Sequence, residues 1–428
     1  MKSQVEKIAR KPFLRNVAVM ATGTAMAQVI YMALSPLITR IYGPEAYGLL
    51  GAFLAIVMII GPVAALTYPF AIVLPRKSEE VQGLMQISFM ISIGSAFTLA
   101  WILLCFYDLI IKWFNLAHLS SFLFLLPLVA LFSGMLQIAE SWLIRTKQFK
   151  ITAKVTVVQA LVIQGSMVLI GLYYPDASIL IILTTLALVF KAAMMIWFSD
   201  NSFLKLMEMP RKIPELKIVA AKYKDFPVFR APEVFLDAIT LGVPVLLLAN
   251  FFGPASAGFY SIGYTVLSVP AQLIGKSVGD VFYPRISDAK NNGENMTKLI
   301  KEATFYLGAA GIFPYIIVIA FGPWLFSFVF GEAWWTAGEY ARWMALWMYF
   351  RFLNSACLTA LPALSAQAFL LGSTIIFLIA KISAFLIGLY IFSSAIAAII
   401  IAAVVEAILE IMFLLITLYI SKKRDETN

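Results

Sequence analysis

Apolar residues do not alternate with polar ones along this chain; they run together in long blocks. Charged residues and Gly/Pro clusters divide the blocks into twelve segments, with approximate limits 15–38, 46–74, 83–107, 121–142, 152–174, 178–198, 228–251, 257–282, 303–330, 338–362, 367–391 and 394–420. An α-helix of about 20 apolar residues spans the hydrocarbon core of a bilayer, and every segment reaches that length. None shows the period-two alternation of a membrane strand. The pattern predicts an all-α polytopic membrane protein with twelve transmembrane helices.

The polar connections set the orientation. An even number of spans puts both termini on one side, and that side carries 24 Lys and Arg in its connections. The opposite side carries three: Arg40, Lys112 and Arg342. The positive-inside rule makes the richer side cytoplasmic. The apolar run from Val17 to Ile38 is longer than that of a cleaved leader, so it reads as a retained first span. The longest polar stretch, 199–227, is Lys-rich and contains Pro210 and Pro214. It reads as a cytoplasmic, hinge-bearing linker between an N-terminal six-helix lobe (1–198) and a C-terminal six-helix lobe (228–428).

A repeat supports that division. Gly43-Pro44-Glu45-Ala46-Tyr47-Gly48 matches Gly253-Pro254-Ala255-Ser256-Ala257-Gly258 at an offset of 210 residues. Further on, Leu74-Pro75-Arg76 matches Tyr283-Pro284-Arg285 at an offset of 209. Six spans per repeat is an even number, so both halves enter the membrane the same way and the repeats are parallel. Repeats of this kind suit a central cavity and rocking between inward-open and outward-open states.

Composition narrows the function class. The chain has 428 residues, 62% apolar and 13% charged, with a formal net charge of +9. A soluble domain is about 25% charged. A soluble enzyme, a disordered chain and a nucleic-acid binder are all excluded, because the basic residues sit in short segments between apolar runs. Two cysteines, Cys105 and Cys357, and one histidine, His118, form no metal or disulfide spacing. No metal, cofactor or enzymatic reaction is expected.

Charges inside the spans are the candidate chemistry. A charge at the bilayer centre costs about 2.5–3.5 kcal/mol on insertion scales, so such residues face a cavity or a partner. Five basic residues lie within spans: Lys191, Arg230, Lys276, Arg351 and Lys381. Together they predict a basic path able to hold a diphosphate, since Arg forks bidentately and Lys supplies a point charge. The acids Glu233, Asp237, Asp280, Glu406 and Glu410 are candidates for proton or sodium coupling. A structural alternative stands beside this reading: Arg230–Glu233 and Lys276–Asp280 are spaced as intrahelical pairs, and Lys381–Glu406 as an interhelical pair. Arg351 has no acid three or four residues away on its own helix, which favours a functional role. Most tryptophans near segment ends, including Trp142, Trp334 and Trp343, read as interfacial anchors. Trp334-Trp335, beside Glu332 and Glu339, is the best candidate for stacking on a sugar.

The stretch Leu34-Ser35-Pro36-Leu37-Ile38-Thr39-Arg40-Ile41-Tyr42-Gly43-Pro44-Glu45-Ala46-Tyr47-Gly48 resembles the first-loop signature of bacterial polysaccharide flippases, the Wzx-type O-antigen and capsule transporters of the MATE/MOP superfamily. Tyr68-Pro69-Phe70-Ala71-Ile72-Val73-Leu74-Pro75-Arg76 is similar to the end of their second helix. The resemblance implies a MATE-like fold in the bacterial inner membrane. It implies movement of an undecaprenyl-diphosphate-linked oligosaccharide from the cytoplasmic to the periplasmic leaflet, in O-antigen, capsule or exopolysaccharide synthesis. Membrane lipids are expected around it, and a polysaccharide polymerase and glycosyltransferases as partners. No individual functional residue carries over.

Two alternatives stay open. A multidrug exporter of the superfamily would carry a carboxylate on its first helix, and residues 16–38 contain none. A membrane sugar polymerase or ligase would display a large catalytic outer loop, and the longest here, about 107–120, offers only Asp108 and His118.

Overall fold

A computed structural model describes residues 12–114, 117–199, 203, 213–272, 282, 285–286, 288–290, 292–364 and 366–426. All regular structure among them is helical. In chain order the helices are α1 (Pro12–Ile60), α2 (Ser78–Phe114), α3 (Leu126–Arg145), α4 (Phe149–Gly171), α5 (Ala177–Phe198), α6 (Ile213–Lys222), α7 (Ala231–Phe252), α8 (Pro254–Pro270), α9 (Met296–Phe330), α10 (Trp335–Leu353), α11 (Ser355–Ala360), α12 (Gln367–Phe392) and α13 (Ala395–Asp425). Nine helical stretches among the described residues are long and apolar enough to cross a membrane.

The twelve predicted segments map onto these helices with specific departures. The first two are one helix, α1, interrupted at Gly43. The eighth has 17 described helical residues, and the tenth, α10, carries Glu339, Arg342 and Arg351. Several helices outrun their apolar segments: α9 begins at Met296 and α13 continues to Asp425. Hydropathy marks where the bilayer stops, whereas backbone hydrogen bonding carries the helix on into water.

The second segment, expected to run to residue 74, stops being α-helical at Ile60. Gly61-Pro62 causes the break, because proline lacks the N–H that the next turn needs. Two 3₁₀ turns follow, Gly61–Val63 and Tyr68–Val73, with Leu66 and Thr67 at positive φ between them. Side chains satisfy the freed backbone. Gln137 donates to the Gly61 carbonyl at 2.8 Å and Ser95 to that of Ala64 at 2.9 Å. Arg145 donates to the carbonyls of Ile72 and Pro75 at 3.1 and 2.6 Å. Irregular backbone at membrane depth survives only with such partners.

Contacts divide the chain into two units. The first comprises residues up to Tyr42 and Phe53–Ala238; the second comprises Gly43–Ala52 and the chain from Ile239. In the first unit α3 packs on α2 and α5, and α4 on α5. The stretch expected as a hinge-bearing linker, 199–227, packs on this unit in its described part. Amphipathic α6 buries Leu216 and Val219 in a core with Val81, Leu84 and Met85. Lys222 and the Tyr223 hydroxyl both donate to Glu80, at 2.7 and 2.8 Å, Tyr68 donates to the Ala220 carbonyl at 3.2 Å, and Thr67 to that of Phe226 at 2.9 Å. The Glu80 carboxylate raises the Lys222 ammonium above its ordinary pKa.

In the second unit α9 packs on α10, α12 on α13, and α10 on both α8 and α13. Here the two copies of the repeated motif meet. Gly43 (φ 69, ψ 176) and Gly253 (φ 86, ψ 168) share one backbone conformation open chiefly to glycine. A Cβ on Gly48 would strike the Pro254 carbonyl, and one on Gly258 would strike the Pro44 carbonyl. Beside this contact the Trp334 ring lies edge-on to Tyr47 and Phe259, at centroid distances of 5.6 and 6.0 Å. Trp334 is buried, so it packs the interior and is neither an interfacial anchor nor a sugar platform. Trp142 is buried as well, while Trp343 and Trp335 are exposed.

Candidate functional site

A buried charge cluster forms in the second unit where α10, α12 and α13 converge. Glu406 and Glu410 are one turn apart on α13 and share a face. Opposite them Trp347 and Arg351 lie one turn apart on α10, and Asn354, the residue that caps it, follows on the same face. Lys381 enters from α12. Lys381 Nζ lies 3.0 Å from Glu406 Oε1, with side chains only 2% and 4% exposed. The same ammonium sits 4.9 Å from the Trp347 ring centroid, a cation–π contact. Arg351 Nη1 lies 3.8 Å from Glu410 Oε1, and Asn354 Nδ2 donates to Glu410 Oε2 at 2.6 Å and to its carbonyl at 2.8 Å.

The four charges cancel, but the two pairs differ. Lys381–Glu406 is closed off and tightly made. Arg351–Glu410 is loose: its distance exceeds that of a charge-assisted hydrogen bond, about 2.7–2.9 Å, and the Arg351 side chain is 34% exposed. The Arg351 guanidinium, a third exposed, stands at the rim of a buried carboxylate where an incoming anion can meet it. A lysine sealed between a glutamate and an indole cannot do so without breaking the core.

The remaining candidates lie elsewhere. Lys191 on α5 donates to Glu140 on α3 at 2.8 Å, a partly exposed interhelical pair in the first unit. Arg230, at the end of a π-helical turn (Phe226–Arg230), pairs with Glu233 one turn on. Asp237 continues that face and is exposed. Lys276 and Asp280 lie outside the described residues. Arg230, Glu233, Asp237, Lys191, Arg351 and Lys381 therefore fall into two units, and among the described candidates the structure groups Arg351, Lys381, Glu406 and Glu410 into one cluster. No group of three or more His, Cys, Asp or Glu among the described residues is placed to hold a metal ion.

Two cluster residues escape a reading based on charge. Trp347 and Asn354 are buried and hold Lys381 and Glu410 in place. Their signal in the sequence was the helical spacing around Arg351, since an arginine within an apolar span brings polar or aromatic partners onto its own face. The pairing of Arg351 with Glu410 had no local signal, because 59 residues separate the two.

A family model described as polysaccharide biosynthesis protein matches residues 37–339. No curated protein sequence matches the chain. Solved structures resemble it over nearly its whole length. One is a multidrug resistance MATE family transporter of the MOP superfamily in an inward-facing conformation, with TM-score 0.74 and 11% identity, covering 94% of this chain and 95% of that one. Another is the Lipid II flippase MurJ in an inward closed conformation, with TM-score 0.71 and 15% identity over 94% of this chain and 87% of that one. A mutant form of the Vibrio cholerae MATE transporter VcmN aligns with TM-score 0.62 and 13% identity over 100% and 99%. At such identities the likeness establishes the fold, which is MATE-like.

Proposed function

The chain belongs to the polysaccharide biosynthesis protein family, and from that premise we propose that it is a flippase for undecaprenyl-diphosphate-linked oligosaccharide, moving it from the cytoplasmic to the periplasmic leaflet by alternating access. The observation that carries the reading is the joining of this family to a transporter fold containing a half-buried arginine beside a buried carboxylate. Arg351 is the side chain offered to the diphosphate. When phosphate oxygens take the guanidinium, Glu410 loses its counter-charge in apolar surroundings. A proton or a sodium ion then neutralises it, with Asn354 holding the carboxylate in place. Glu406 keeps Lys381 and stays out of the exchange. The sugars occupy the aqueous path while the polyprenyl tail stays in the bilayer. The inner membrane, cytoplasmic termini and neighbouring polymerase and glycosyltransferases belong to this reading.

The multidrug-exporter reading draws on the MATE structure among the fold's neighbours. Residues 20–42 of α1 hold no acid to attract a cationic drug. Transport of a fluorescent undecaprenyl-diphosphate oligosaccharide in proteoliposomes decides between them. The flippase reading expects protein-dependent flipping that falls at least about tenfold in Arg351→Ala, the scale of one lost charge-assisted contact. Movement of a cationic dye without the lipid-linked sugar would overturn it. Flipping that survives Arg351→Ala would keep the function and move the anion site elsewhere.

A further inference from the structure

The basic ends of α9 and α13 form a second feature, separate from the charge cluster. An apolar groove of about 420 Å³ runs along the second unit between α9, α10 and α13. Its walls are Phe305, Ile312, Leu414 and Leu418, and its floor reaches Tyr349 and Leu353. Gly308 gives it depth, because a Cβ there would already lie 3.4 Å from the Tyr349 hydroxyl. At the end where α9 begins and α13 ends lies a polar pocket of about 520 Å³. Lys301 lines both, so the two adjoin. Along α9 the lining passes from Ile312 and Phe305 to Lys301 and Lys298, and along α13 from Leu414 and Leu418 to Lys422.

The shape is that of one acyl chain joined to a polar head. The charges select the head. Three lysines, Lys298, Lys301 and Lys422, face three carboxylates, Glu302, Asp425 and Glu426. Asp425 is spent as a cap, accepting the N–H groups of Met296 and Thr297 at 3.0 and 2.9 Å. Lys422 and Glu426 lie 3.8 Å apart. Lys298, Lys301 and Glu302 make no ion pair among the described residues. A head bearing only negative charge would meet Glu302 and Glu426 as well as the lysines, and a diphosphate would suffer most. A head carrying both a phosphate and a primary ammonium satisfies both signs: phosphate oxygens accept from Lys298 and Lys301, and the ammonium donates to Glu302 and Glu426. A quaternary ammonium cannot donate those bonds.

We propose that this groove and pocket hold a zwitterionic glycerophospholipid with a phosphoethanolamine head, bound to the second unit from the leaflet at the basic ends of α9 and α13. The site is independent of the transport reading and of Arg351.

Native mass spectrometry of the full chain tests it. The protein in detergent is offered equal amounts of phosphatidylethanolamine, phosphatidylcholine and phosphatidylglycerol. One phosphatidylethanolamine should be retained about tenfold more strongly than either competitor, the scale of one or two hydrogen bonds to a charged group. Glu302→Gln should narrow the preference over phosphatidylcholine, and Lys301→Ala should weaken retention of phosphatidylethanolamine. Ala309→Trp, which fills the groove from an exposed position, should abolish retention while leaving the melting temperature unchanged. Tighter retention of phosphatidylglycerol would overturn the choice of head group. Equal retention of all three, or retention that survives Ala309→Trp, would overturn the site.

Discussion

At the residue scale, the two ion pairs of the cluster call for opposite responses to mutation. Lys381 and Glu406 are buried together, so removing one strands the other. Lys381→Met should destabilise the protein by about 3–5 kcal/mol, the usual consequence of an uncompensated buried charge. Adding Glu406→Leu should restore most of that loss. Denaturant unfolding in detergent of both variants checks this; a double variant no more stable than the single one would show that the pair is not an isolated unit. A second residue-scale prediction concerns pH. Asp176 caps α5 by accepting the Ser178 backbone N–H at 2.8 Å. Its hydrogen bonds with Ser178 hold the carboxyl below the usual carboxylate range. A lowered pKa contributes stability that is present above the unfolded value, about 3.9, and fades as pH falls through the folded one. Asp176→Ala should lower stability at neutral pH by about 1 kcal/mol, and the difference from wild type should shrink in acid. Melting curves at pH 7 and pH 3 measure it.

At the scale of elements, the repeated motif turned out to be a contact as well as a repeat. Gly43 and Gly253 make the same turn, and the helices they start pack through Gly48 and Gly258 with no room for a side chain. Gly48→Val and Gly258→Val should each cost about 1–3 kcal/mol by overpacking. Because they share one contact, the double variant should cost less than the sum; additive losses would mean the two glycines act separately. The docked helix α6 makes a different prediction. Leu216→Asp places a charge in its buried face and should free the segment, so trypsin should cut at Lys217, Lys222 or Lys224 markedly faster. Unchanged cleavage would leave the docking without a role in holding that segment. The sequence suggested a hinge here because polar residues and two prolines dominate the stretch. The few apolar residues that bind it to α2 are too sparse to stand out without their partners.

At the scale of the whole molecule, the bias of basic residues predicts the orientation, and labelling tests it. In a Cys105→Ser, Cys357→Ala background, a cysteine at Pro175 should react with a membrane-impermeant maleimide added to intact cells. One at Lys423 should react only after the membrane is opened. The reverse pattern would invert the topology and place the pocket beside Lys301 in the outer leaflet.

Hydropathy, a local and additive property, sufficed to mark the apolar segments, and the excess of basic loop residues predicts their orientation. Short-range spacing likewise announced the Arg230–Glu233 pair and the Gly-Pro repeat. Tertiary structure decided what depends on residues far apart in the chain. It placed Glu410 beside Arg351 and sealed Lys381 against Trp347 and Glu406. It buried Trp334 between Tyr47 and Phe259, and brought Gln137 and Ser95 to the carbonyls freed where Gly61-Pro62 breaks the second span. A charge within an apolar run requires compensation wherever it lies, so composition reveals the requirement; which partner meets it depends on how the helices pack.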